Sequence, residues 1–377
     1  MDERLRPGLE NVIASETDIS FLDVEKEEIV LRGYDLIELA RQVKYMDIAA
    51  LLLDGELPSP EARRALEDKI KSEYEFPQSV LAILQLLPDH ANLMDVLRTG
   101  ISAIAAFDPE LDDRSREANT RKAIRLLAKV PQILANGYRA TASLPFIEPR
   151  KDLSYTANFL YMITGHVPSQ MEEEVFDQSL IVYSEHEMPN STFAARVIAS
   201  TQADIYGALT GAVASLKGTL HGGANEAVML MLLEAGSAEQ LEAFMLKKLQ
   251  QKQRIMGFGH RVYMKKPDPR AILMKEALAN LSAAKCQPER YEMCVAGEKV
   301  MEREKQLYPN LDYYAAPVYH LLGIPIACFT PVFLAARTIG ISAHVIEQHA
   351  NNRLYRPRVL YNGPRDLHPS PKGDEHR

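Results

Sequence analysis

The chain is poor in cysteine and lacks the apolar segments that mark secretion or membrane insertion. Its 377 residues include only Cys286, Cys294 and Cys328. These are too few and too scattered for a disulfide framework or a cysteine-rich zinc site. Residues 1–6 lack the apolar core of a signal peptide, and no apolar run approaches the length needed to span a membrane. We therefore expect a cytoplasmic protein with no membrane partner.

An excess of positive charge is also missing. The chain has 43 Lys and Arg residues against 51 Asp and Glu residues, a formal net charge of −8. Such a molecule repels nucleic acid and anionic membranes, so we do not expect a nucleic-acid partner. An anionic ligand must therefore bind at a locally basic site. The length is sufficient for two compact lobes or one large domain.

A regular alternation of strands and helices is absent, which argues against a parallel α/β sheet. Strand patterns occur only at 19–24 and 28–32, separated by a charged turn, and they predict a short N-terminal β-hairpin. Apolar residues at helical spacing predict one helix over 34–54 and further helices to the C-terminus. We expect prolines to separate several of these helices, at Pro131, Pro145, Pro149, Pro168 and Pro189. The predicted fold class is all-α.

The segment 191–220 is crowded with Ala, Ser, Thr and Gly, including Gly207 and Gly211 four residues apart. Small residues allow helix backbones to approach closely. The segment therefore fits either a buried helix within one subunit or a helix pair across a dimer interface. Arg196 and Asp204 exclude a membrane span.

Two histidines lie in polar turns that precede predicted helices. His186, in the segment 184–193, is by itself more typical of a structural hydrogen bond than of a ligand site. His221 precedes two glycines and a helix expected to begin near Ala224. The positive end of that helix dipole would lower the imidazole pKa and favour the neutral ring. A neutral imidazole can donate a hydrogen bond to a carbonyl that becomes an enolate. An ordinary turn histidine is the alternative.

A glycine-containing loop at 255–259 precedes His260, but its spacing fits neither a Walker loop nor a dinucleotide fingerprint. The surrounding residues 247–275 contain nine basic side chains and one acidic side chain. This segment is either a solvated helix face or a binding site for the phosphates of a nucleotide-like carrier.

Acidic and basic candidates occur towards the C-terminus. Asp312 lies among aromatic and small apolar residues, where a poorly solvated carboxylate is a stronger base, although a helix cap is the simpler interpretation. Arginines that could bind carboxylates, or form surface salt bridges, follow at Arg337, Arg353, Arg356 and Arg358.

Taken together, these segments resemble the citrate synthase family in order and spacing. The segments that carry the resemblance are Ser-Glu-His-Glu at 184–187, Leu-His-Gly-Gly at 220–223, Gly-Phe-Gly-His at 257–260, Asp-Pro-Arg at 268–270, Pro-Asn-Leu-Asp at 309–312 and Tyr-Arg-Pro-Arg at 355–358. The resemblance extends from about residue 8 to residue 363. The run 185–196 is most similar to the short bacterial branch that includes 2-methylcitrate synthases of bacilli.

The resemblance implies an enzyme that joins acetyl-CoA or propionyl-CoA to oxaloacetate and then hydrolyses the product thioester. It places His221, His260 and Asp312 in the catalytic triad. It assigns oxaloacetate binding to His186, Arg270, Arg337 and Arg356, with Arg356 contributed across a homodimer interface. It assigns CoA binding to Ile255, Met256, Gly257, Phe258 and Gly259, and a phosphate contact to Lys265. Acyl-CoA is a co-substrate, and no permanently bound cofactor or metal is implied.

The resemblance also predicts a large helical domain, 1–221 with 319–377, and a small lid domain, 222–318. The run at 185–196 favours propionyl-CoA, although both acyl groups are expected to be accepted. Two alternatives from other classes are a metal-dependent hydrolase that uses the histidines and a non-catalytic helical scaffold. The histidines lack a His-x-x-x-His pair, which argues against the hydrolase.

Overall fold

The computed structural model describes residues 5–9, 12–23, 25–26, 28–259 and 267–369. Near the N-terminus it contains a three-stranded antiparallel sheet in the order β1 (Ser20–Asp23), β2 (Glu28–Leu31) and β3 (Tyr34–Asp35). The first two strands confirm the predicted hairpin. The third strand forms because Gly33, at φ 90°, turns the chain back onto β2.

The remaining regular secondary structure of the described residues is almost entirely helical, which confirms the predicted fold class. Two short 3₁₀ turns occur at Pro7–Leu9 and Ile326–Cys328. The α-helices are α1 (Leu36–Gln42), α2 (Tyr45–Asp54), α3 (Pro60–Ser72), α4 (Gln78–Gln85), α5 (Leu93–Ala105), α6 (Arg116–Thr141), α7 (Tyr155–Thr164), α8 (Gln170–Ser184), α9 (Asn190–Ala199), α10 (Ile205–Leu216), α11 (Ala224–Ala235), α12 (Ala238–Gln250), α13 (Pro269–Ala284), α14 (Pro288–Lys305), α15 (Leu311–Leu321) and α16 (Phe329–Ala350).

The single helix predicted over 34–54 is wrong in two respects, because Tyr34–Asp35 forms β3 and the chain breaks between α1 and α2. Val43 and Lys44 adopt extended backbone conformations. The Asp47 carboxylate accepts a hydrogen bond from the Lys44 N–H at 2.8 Å, which stabilises the start of α2. The apolar periodicity continues through the break and therefore conceals it.

The helix boundary predicted at Pro131 is also wrong. Pro131 lies inside α6, which runs without interruption for 26 residues. An internal proline costs about 3 kcal/mol because it removes one helical hydrogen bond and crowds the preceding turn. The buried face of α6 packs against α5, α7 and α16, and this packing offsets the cost.

The most deeply buried long helix is α16, which packs against α6, α8, α9 and α10. With the preceding 3₁₀ turn it forms a segment, Ile326–Ala350, that is apolar and long enough to cross a membrane by length and composition alone. The expectation that no such run exists is therefore wrong. The apolar window of this segment is 83% buried inside the protein, as in the core helix of a soluble protein.

The segment rich in small residues forms two helices, α9 and α10, that pack closely against each other within one chain. A Cβ atom at Gly211 would lie only 2.1 Å from Cδ1 of Ile198. The glycine therefore permits this close approach, which supports the intrachain interpretation of the segment. The second interpretation, a helix pair across a dimer interface, remains a prediction.

Helices α11 to α15 pack largely on one another, through the pairs α11–α15, α12–α14 and α13–α15. They contact the remaining helices through α13 on α1 and α8, α15 on α8, and α11 on α16. These contacts bring the segments around residues 221, 270, 312 and 337 towards the same part of the molecule. The division into lobes at 222 and 318 remains a prediction.

Candidate active site

His221 lies in the turn that precedes α11, as the sequence predicts. Its Nε2 atom accepts a hydrogen bond from the backbone N–H of Ser191 at 3.1 Å and lies 2.9 Å from the Ser191 hydroxyl. A nitrogen that accepts an N–H bond carries no proton, so the ring proton is on Nδ1. Burial and the positive charge of Arg337 lower the His221 pKa to about 4. This direction agrees with the predicted neutral ring, and burial is the larger of the two causes.

The two glycines after His221 have structural roles of their own. A Cβ atom at Gly222 would lie 2.2 Å from the carbonyl oxygen of Leu216, so only glycine fits there. Gly223 is the N-cap of α11 and has a φ of 81°, in the left-handed region that favours glycine. Together they allow the tight turn that presents the His221 ring.

Asp312 lies in the first turn of α15, where the Asn310 side chain caps the helix by accepting from the Asp312 N–H at 3.1 Å. Its Oδ1 atom accepts a hydrogen bond from the Tyr183 hydroxyl at 2.6 Å. Burial raises the pKa of Asp312 above its ordinary value, while Tyr183 and the nearby Arg270 oppose this shift. The direction of this shift is the one that its apolar surroundings predict.

Arg337 projects from α16 and is only 2% exposed. Its Nε atom donates to the carbonyl oxygen of Tyr183, and its guanidinium lies 5.0 Å from the centre of the Phe333 ring. Burial lowers its pKa to about 10, and Glu185 opposes that shift. A buried cation of this kind is suited to bind a carboxylate group that enters the site.

Arg270 lies in the first turn of α13 and is 5% exposed. Its Nε and NH2 atoms donate to the two oxygens of Asp268 at 3.0 and 2.8 Å. Asp268 is the N-cap of α13, and its Oδ2 atom also accepts from the N–H of Leu311 at 3.3 Å. One carboxylate therefore connects the start of α13 with the start of α15, the helix that carries Asp312.

His186 follows α8 and is 8% exposed. The preceding residue, Glu185, accepts hydrogen bonds from the hydroxyl of Ser20 at 2.9 Å and from Nε2 of His344 at 3.1 Å. Nδ1 of His344 accepts in turn from Arg196 at 2.9 Å. Burial tends to raise the Glu185 pKa, but His344 keeps it below its ordinary value. Strand β1 and helix α16 thereby fix the backbone on the N-terminal side of His186.

The glycine loop 255–259 lies against the segment that leads into α15. The Gly259 N–H donates to the carbonyl oxygen of Tyr308 at 2.9 Å, and the Asn310 N–H donates to that of Gly257 at 2.9 Å. Gly257 and Gly259 have φ values of 87° and 79°. The loop is thus connected by backbone hydrogen bonds to the residues that precede Asp312.

Two predicted site residues, His260 and Lys265, lie outside the described residues. Arg356 is exposed in the segment that follows α16. The structure therefore does not bring Arg356 together with the buried arginines of its own chain, and its role across a dimer interface remains a prediction.

Part of the basic charge predicted around the loop is neutralised by acidic partners. Lys275 pairs with Glu298 at 2.6 Å, and Lys248 lies 3.8 Å from Glu234. Within the described ranges, no group of three or more His, Cys, Asp and Glu side chains is arranged to hold a metal ion.

The charge of Arg337 acts on both His221 and Asp312. It adds to the lowering of the His221 pKa, and it partly opposes the rise that burial causes in the Asp312 pKa. The region thus combines a neutral imidazole donor, a carboxylate of raised basicity and two buried guanidiniums. Chemically, such a set can bind a dicarboxylate, polarise a carbonyl oxygen and remove a proton from carbon.

Sequence reasoning did not identify Tyr183 or Asp268 as parts of the site. Tyr183 sits at an apolar position of α8 and is indistinguishable in sequence from a core residue. Asp268 precedes a proline and an arginine at a helix start, a pattern typical of an N-cap. Asp268 lies two residues before Arg270, and this sequence spacing was the available signal for an ion pair.

Comparison with known proteins is consistent with this geometry. The family described as "Citrate synthase, C-terminal domain" matches residues 8–358. The chain is 59% identical over 359 residues to the citrate/2-methylcitrate synthase of Bacillus subtilis, covering 95% of this chain and 96% of that protein. It is 58% identical over 361 residues to the citrate synthase of Heyndrickxia coagulans, covering 96% and 97% respectively.

A solved structure also matches along nearly the whole chain. The Thermoplasma acidophilum citrate synthase, described as a ternary complex with carboxymethyl coenzyme A and oxaloacetate, has a TM-score of 0.90. It is 31% identical and covers 97% of this chain and 98% of that chain.

Proposed function

Because the chain belongs to the citrate synthase family, we propose that it condenses a short acyl-CoA with oxaloacetate and hydrolyses the resulting thioester. The products are CoA and citrate or 2-methylcitrate. One observation carries the proposal. His221, whose pKa is lowered, and Asp312, whose pKa is raised, both feel the charge of Arg337.

The first chemical step removes a proton from the carbon next to the thioester carbonyl. That proton is far less acidic than a carboxylic acid, and each unit of pKa mismatch costs about 1.4 kcal/mol. Asp312 takes the proton while His221 donates from Nδ1–H to the thioester oxygen. Because Nε2 is already bound to Ser191, Nδ1 is the nitrogen available for this donation. The enol forms without an unassisted negative charge.

The second step forms a carbon–carbon bond between the enol and the keto carbon of oxaloacetate. His260 polarises the keto group and protonates its oxygen. His186, Arg270, Arg337 and the partner subunit's Arg356 bind the two carboxylates and select the face that is attacked. Water then cleaves the product thioester and releases CoA. The burial of Arg270 and Arg337 supports this assignment, since a buried guanidinium gains most from a carboxylate partner.

The CoA moiety binds at the loop Ile255–Gly259, with the backbone of the loop contacting the adenine and Lys265 contacting a phosphate. Two features support this part of the proposal. The lack of a side chain at Gly257 lets the loop pack directly against Val228 and Tyr313, and its hydrogen bonds to residues 308–310 connect it with the segment that precedes Asp312. CoA binding is thereby linked to the position of the base.

We further propose that the enzyme is a cytoplasmic homodimer in which the lobe 222–318 closes over oxaloacetate before acyl-CoA reacts. Closure excludes water that would otherwise hydrolyse the acyl-CoA prematurely. Asn352 and Tyr355 bind Ser200 of the same chain, and the next residue, Arg356, is exposed at the surface where a partner could meet it.

Both acetyl-CoA and propionyl-CoA are accepted, because one methylene is worth only about 1–3 kcal/mol in an apolar pocket. The combined name of the Bacillus subtilis relative supports dual use, and the run 185–196 favours propionyl-CoA. Comparing kcat/KM for the two acyl-CoAs identifies the preferred substrate. A ratio that favours acetyl-CoA would overturn the propionyl preference alone.

The proposed function is tested by measuring thiol release after mixing the protein with acyl-CoA and oxaloacetate. We expect catalytic turnover, whereas a non-catalytic scaffold would release no thiol. In Asp312→Asn, proton exchange at the acyl α-carbon should fall by at least about 100-fold, since general-base catalysis contributes 10²–10⁴-fold.

The matched control is Asp95→Asn, which changes another aspartate in the first turn of a helix, α5. This variant should keep normal exchange. Undiminished exchange in Asp312→Asn would remove Asp312 from the role of base.

A further inference from the structure

Tyr183, the penultimate residue of α8, contacts two groups of the candidate site at once. Its hydroxyl donates to Oδ1 of Asp312 at 2.6 Å, and its carbonyl oxygen accepts from Nε of Arg337. The side chain is 1% exposed, and its ring packs 4.7 Å from Phe333 and 6.3 Å from Tyr319 between ring centres. The tyrosine is therefore fixed by packing on its ring and by hydrogen bonds at both polar ends.

The contact joins parts of the chain that are distant in sequence, because Tyr183 is on α8, Asp312 on α15 and Arg337 on α16. Apart from the tyrosine, the groups whose charges influence the Asp312 pKa most are Arg270, Asp268 and Arg337. Acidic groups of two other neighbouring helices have different partners. Glu298 of α14 binds Tyr314 and Glu226 of α11 binds Thr330.

We propose that Tyr183 is a positioning residue. It orients the base, Asp312, and holds that base in a fixed position relative to the arginine that binds oxaloacetate. Its hydroxyl occupies Oδ1 of Asp312 and so leaves Oδ2 to remove the acyl proton. Its main-chain carbonyl meanwhile fixes Arg337, the arginine assigned to a carboxylate of oxaloacetate. The proposal rests on the proposed condensation, and it adds a role to a residue with no assigned function.

Two physical consequences follow from the hydroxyl contact. A donor at Oδ1 stabilises the ionised carboxylate more than the neutral acid, so Tyr183 keeps the Asp312 pKa lower than burial alone would. It also removes rotational freedom from the carboxylate, which favours a single geometry for proton abstraction. Loss of the hydroxyl should therefore change both the pH dependence and kcat.

The test is Tyr183→Phe, which removes the hydroxyl and retains the ring and the main-chain carbonyl. Asp312 acts as a base only when ionised, so activity falls as the pH falls through its pKa. Removal of the donor raises that pKa, and the acid limb of kcat/KM should move upward by about one pH unit. We expect kcat to fall about 10-fold, with a KM for oxaloacetate within about 2-fold of wild type because the carbonyl contact to Arg337 remains.

The matched control is Tyr206→Phe. Tyr206 is also a buried tyrosine whose hydroxyl donates to a buried aspartate, Asp108, and neither residue belongs to the candidate site. This variant should leave the acid limb and kcat unchanged. The proposal would be overturned if the acid limb of kcat/KM did not move in Tyr183→Phe, or if it moved by the same amount in Tyr206→Phe.

A measurement without turnover separates this inference from the proposed function. The carboxyl of Asp312 is titrated by ¹³C NMR in protein labelled at aspartate, with Asp312→Asn used to assign the signal. The Asp312 midpoint should rise in Tyr183→Phe and not in Tyr206→Phe. If wild type released no thiol while this shift was present, the condensation would be wrong and the positioning contact would stand. If wild type turned over but the Asp312 midpoint did not shift in Tyr183→Phe, the condensation would be supported and the role of Tyr183 overturned.

Discussion

The two ring nitrogens of His221 have different surroundings, and this difference makes its protonation predictable. Nε2 accepts from the N–H of Ser191, and burial with Arg337 lowers the ring pKa to about 4. We expect the ring to remain neutral, with its proton on Nδ1, throughout pH 5–8. ¹⁵N NMR of histidine-labelled protein should show a tautomer signature that is constant over this range. Titration of the His221 signal near pH 6.5 would contradict it.

The lowered pKa of His221 also makes the folded protein less stable as the pH falls. The unfolded ring binds a proton near pH 6.5, whereas the folded ring does so only near pH 4. Between these values the unfolded state binds more protons, so the contribution of His221 lowers stability as the pH falls from 6.5 towards 4. Above pH 6.5 both states are neutral and the contribution vanishes. His221→Gln should weaken the loss of thermal stability in this acid range.

Residues of the candidate site were predictable where their chemistry is visible in local sequence. The glycines after His221 and the apolar neighbours of Asp312 indicate a histidine at a turn and a poorly solvated carboxylate. Tyr183 was not predictable, because a tyrosine in an apolar helix is normally a core residue. Its role depends on a contact across 129 positions of sequence, which only the folded chain creates.

Among the helix starts, that of α13 has a role beyond its own helix. Asp268 caps α13, pairs with Arg270 through both oxygens and accepts from the N–H of Leu311. Asp268→Ala removes the cap, worth about 1 kcal/mol, and leaves a buried guanidinium without its carboxylate, at about 3–5 kcal/mol. We expect a loss of several kcal/mol in the free energy of unfolding and a raised KM for oxaloacetate, measured by denaturant titration and steady-state kinetics.

Asp204→Ala is the control for this prediction. Asp204 caps α10 by accepting from the Gly207 N–H at 2.8 Å. Its removal should cost only about 1 kcal/mol, as for an ordinary cap, and should leave the KM for oxaloacetate unchanged. Equal losses of stability in the two variants would mean that the pair with Arg270 contributes little.

At the scale of elements, sequence patterns located most helices but not every boundary. Pro145, Pro149, Pro168 and Pro189 lie between consecutive helices, as predicted. The break at Val43 was missed because apolar spacing persists across it, and Pro131 was misread because tertiary packing of α6 outweighs the local cost of proline. Local patterns therefore fail where packing against other helices decides the outcome.

At the scale of the whole molecule, the all-α class followed from the near absence of strand patterns. The arrangement of the helices did not, because periodicity gives the buried face of each helix without its partner. The relation between the proposed lobes is a clear example. Helix α13 contacts α1 and α8 across the predicted boundary at residue 222, and no local signal pairs these helices.

Two exposed or half-exposed salt bridges cross this boundary and should influence closure. Arg41 of α1 lies 2.8 Å from Glu276, and Lys285 lies 2.5 Å from Glu172 of α8. Each such pair is worth about 0.2–1 kcal/mol. The two together would change the equilibrium constant between closed and open arrangements of the proposed lobes by a factor of up to about 30. Glu276 lies on α13 and Lys285 is its C-cap, so both pairs connect this helix to the proposed large lobe, and their loss should favour a more open molecule.

We expect the double variant Glu276→Gln, Lys285→Gln to increase the radius of gyration of the ligand-free protein in small-angle X-ray scattering. High salt should expand wild type in the same direction and affect the variant less, because salt screens exposed ion pairs. Glu242→Gln is the control, since the Arg303–Glu242 pair, at 2.8 Å, joins α12 and α14 inside the proposed small lobe. Identical scattering from wild type and the double variant at low salt would show that these bridges do not determine the lobe equilibrium.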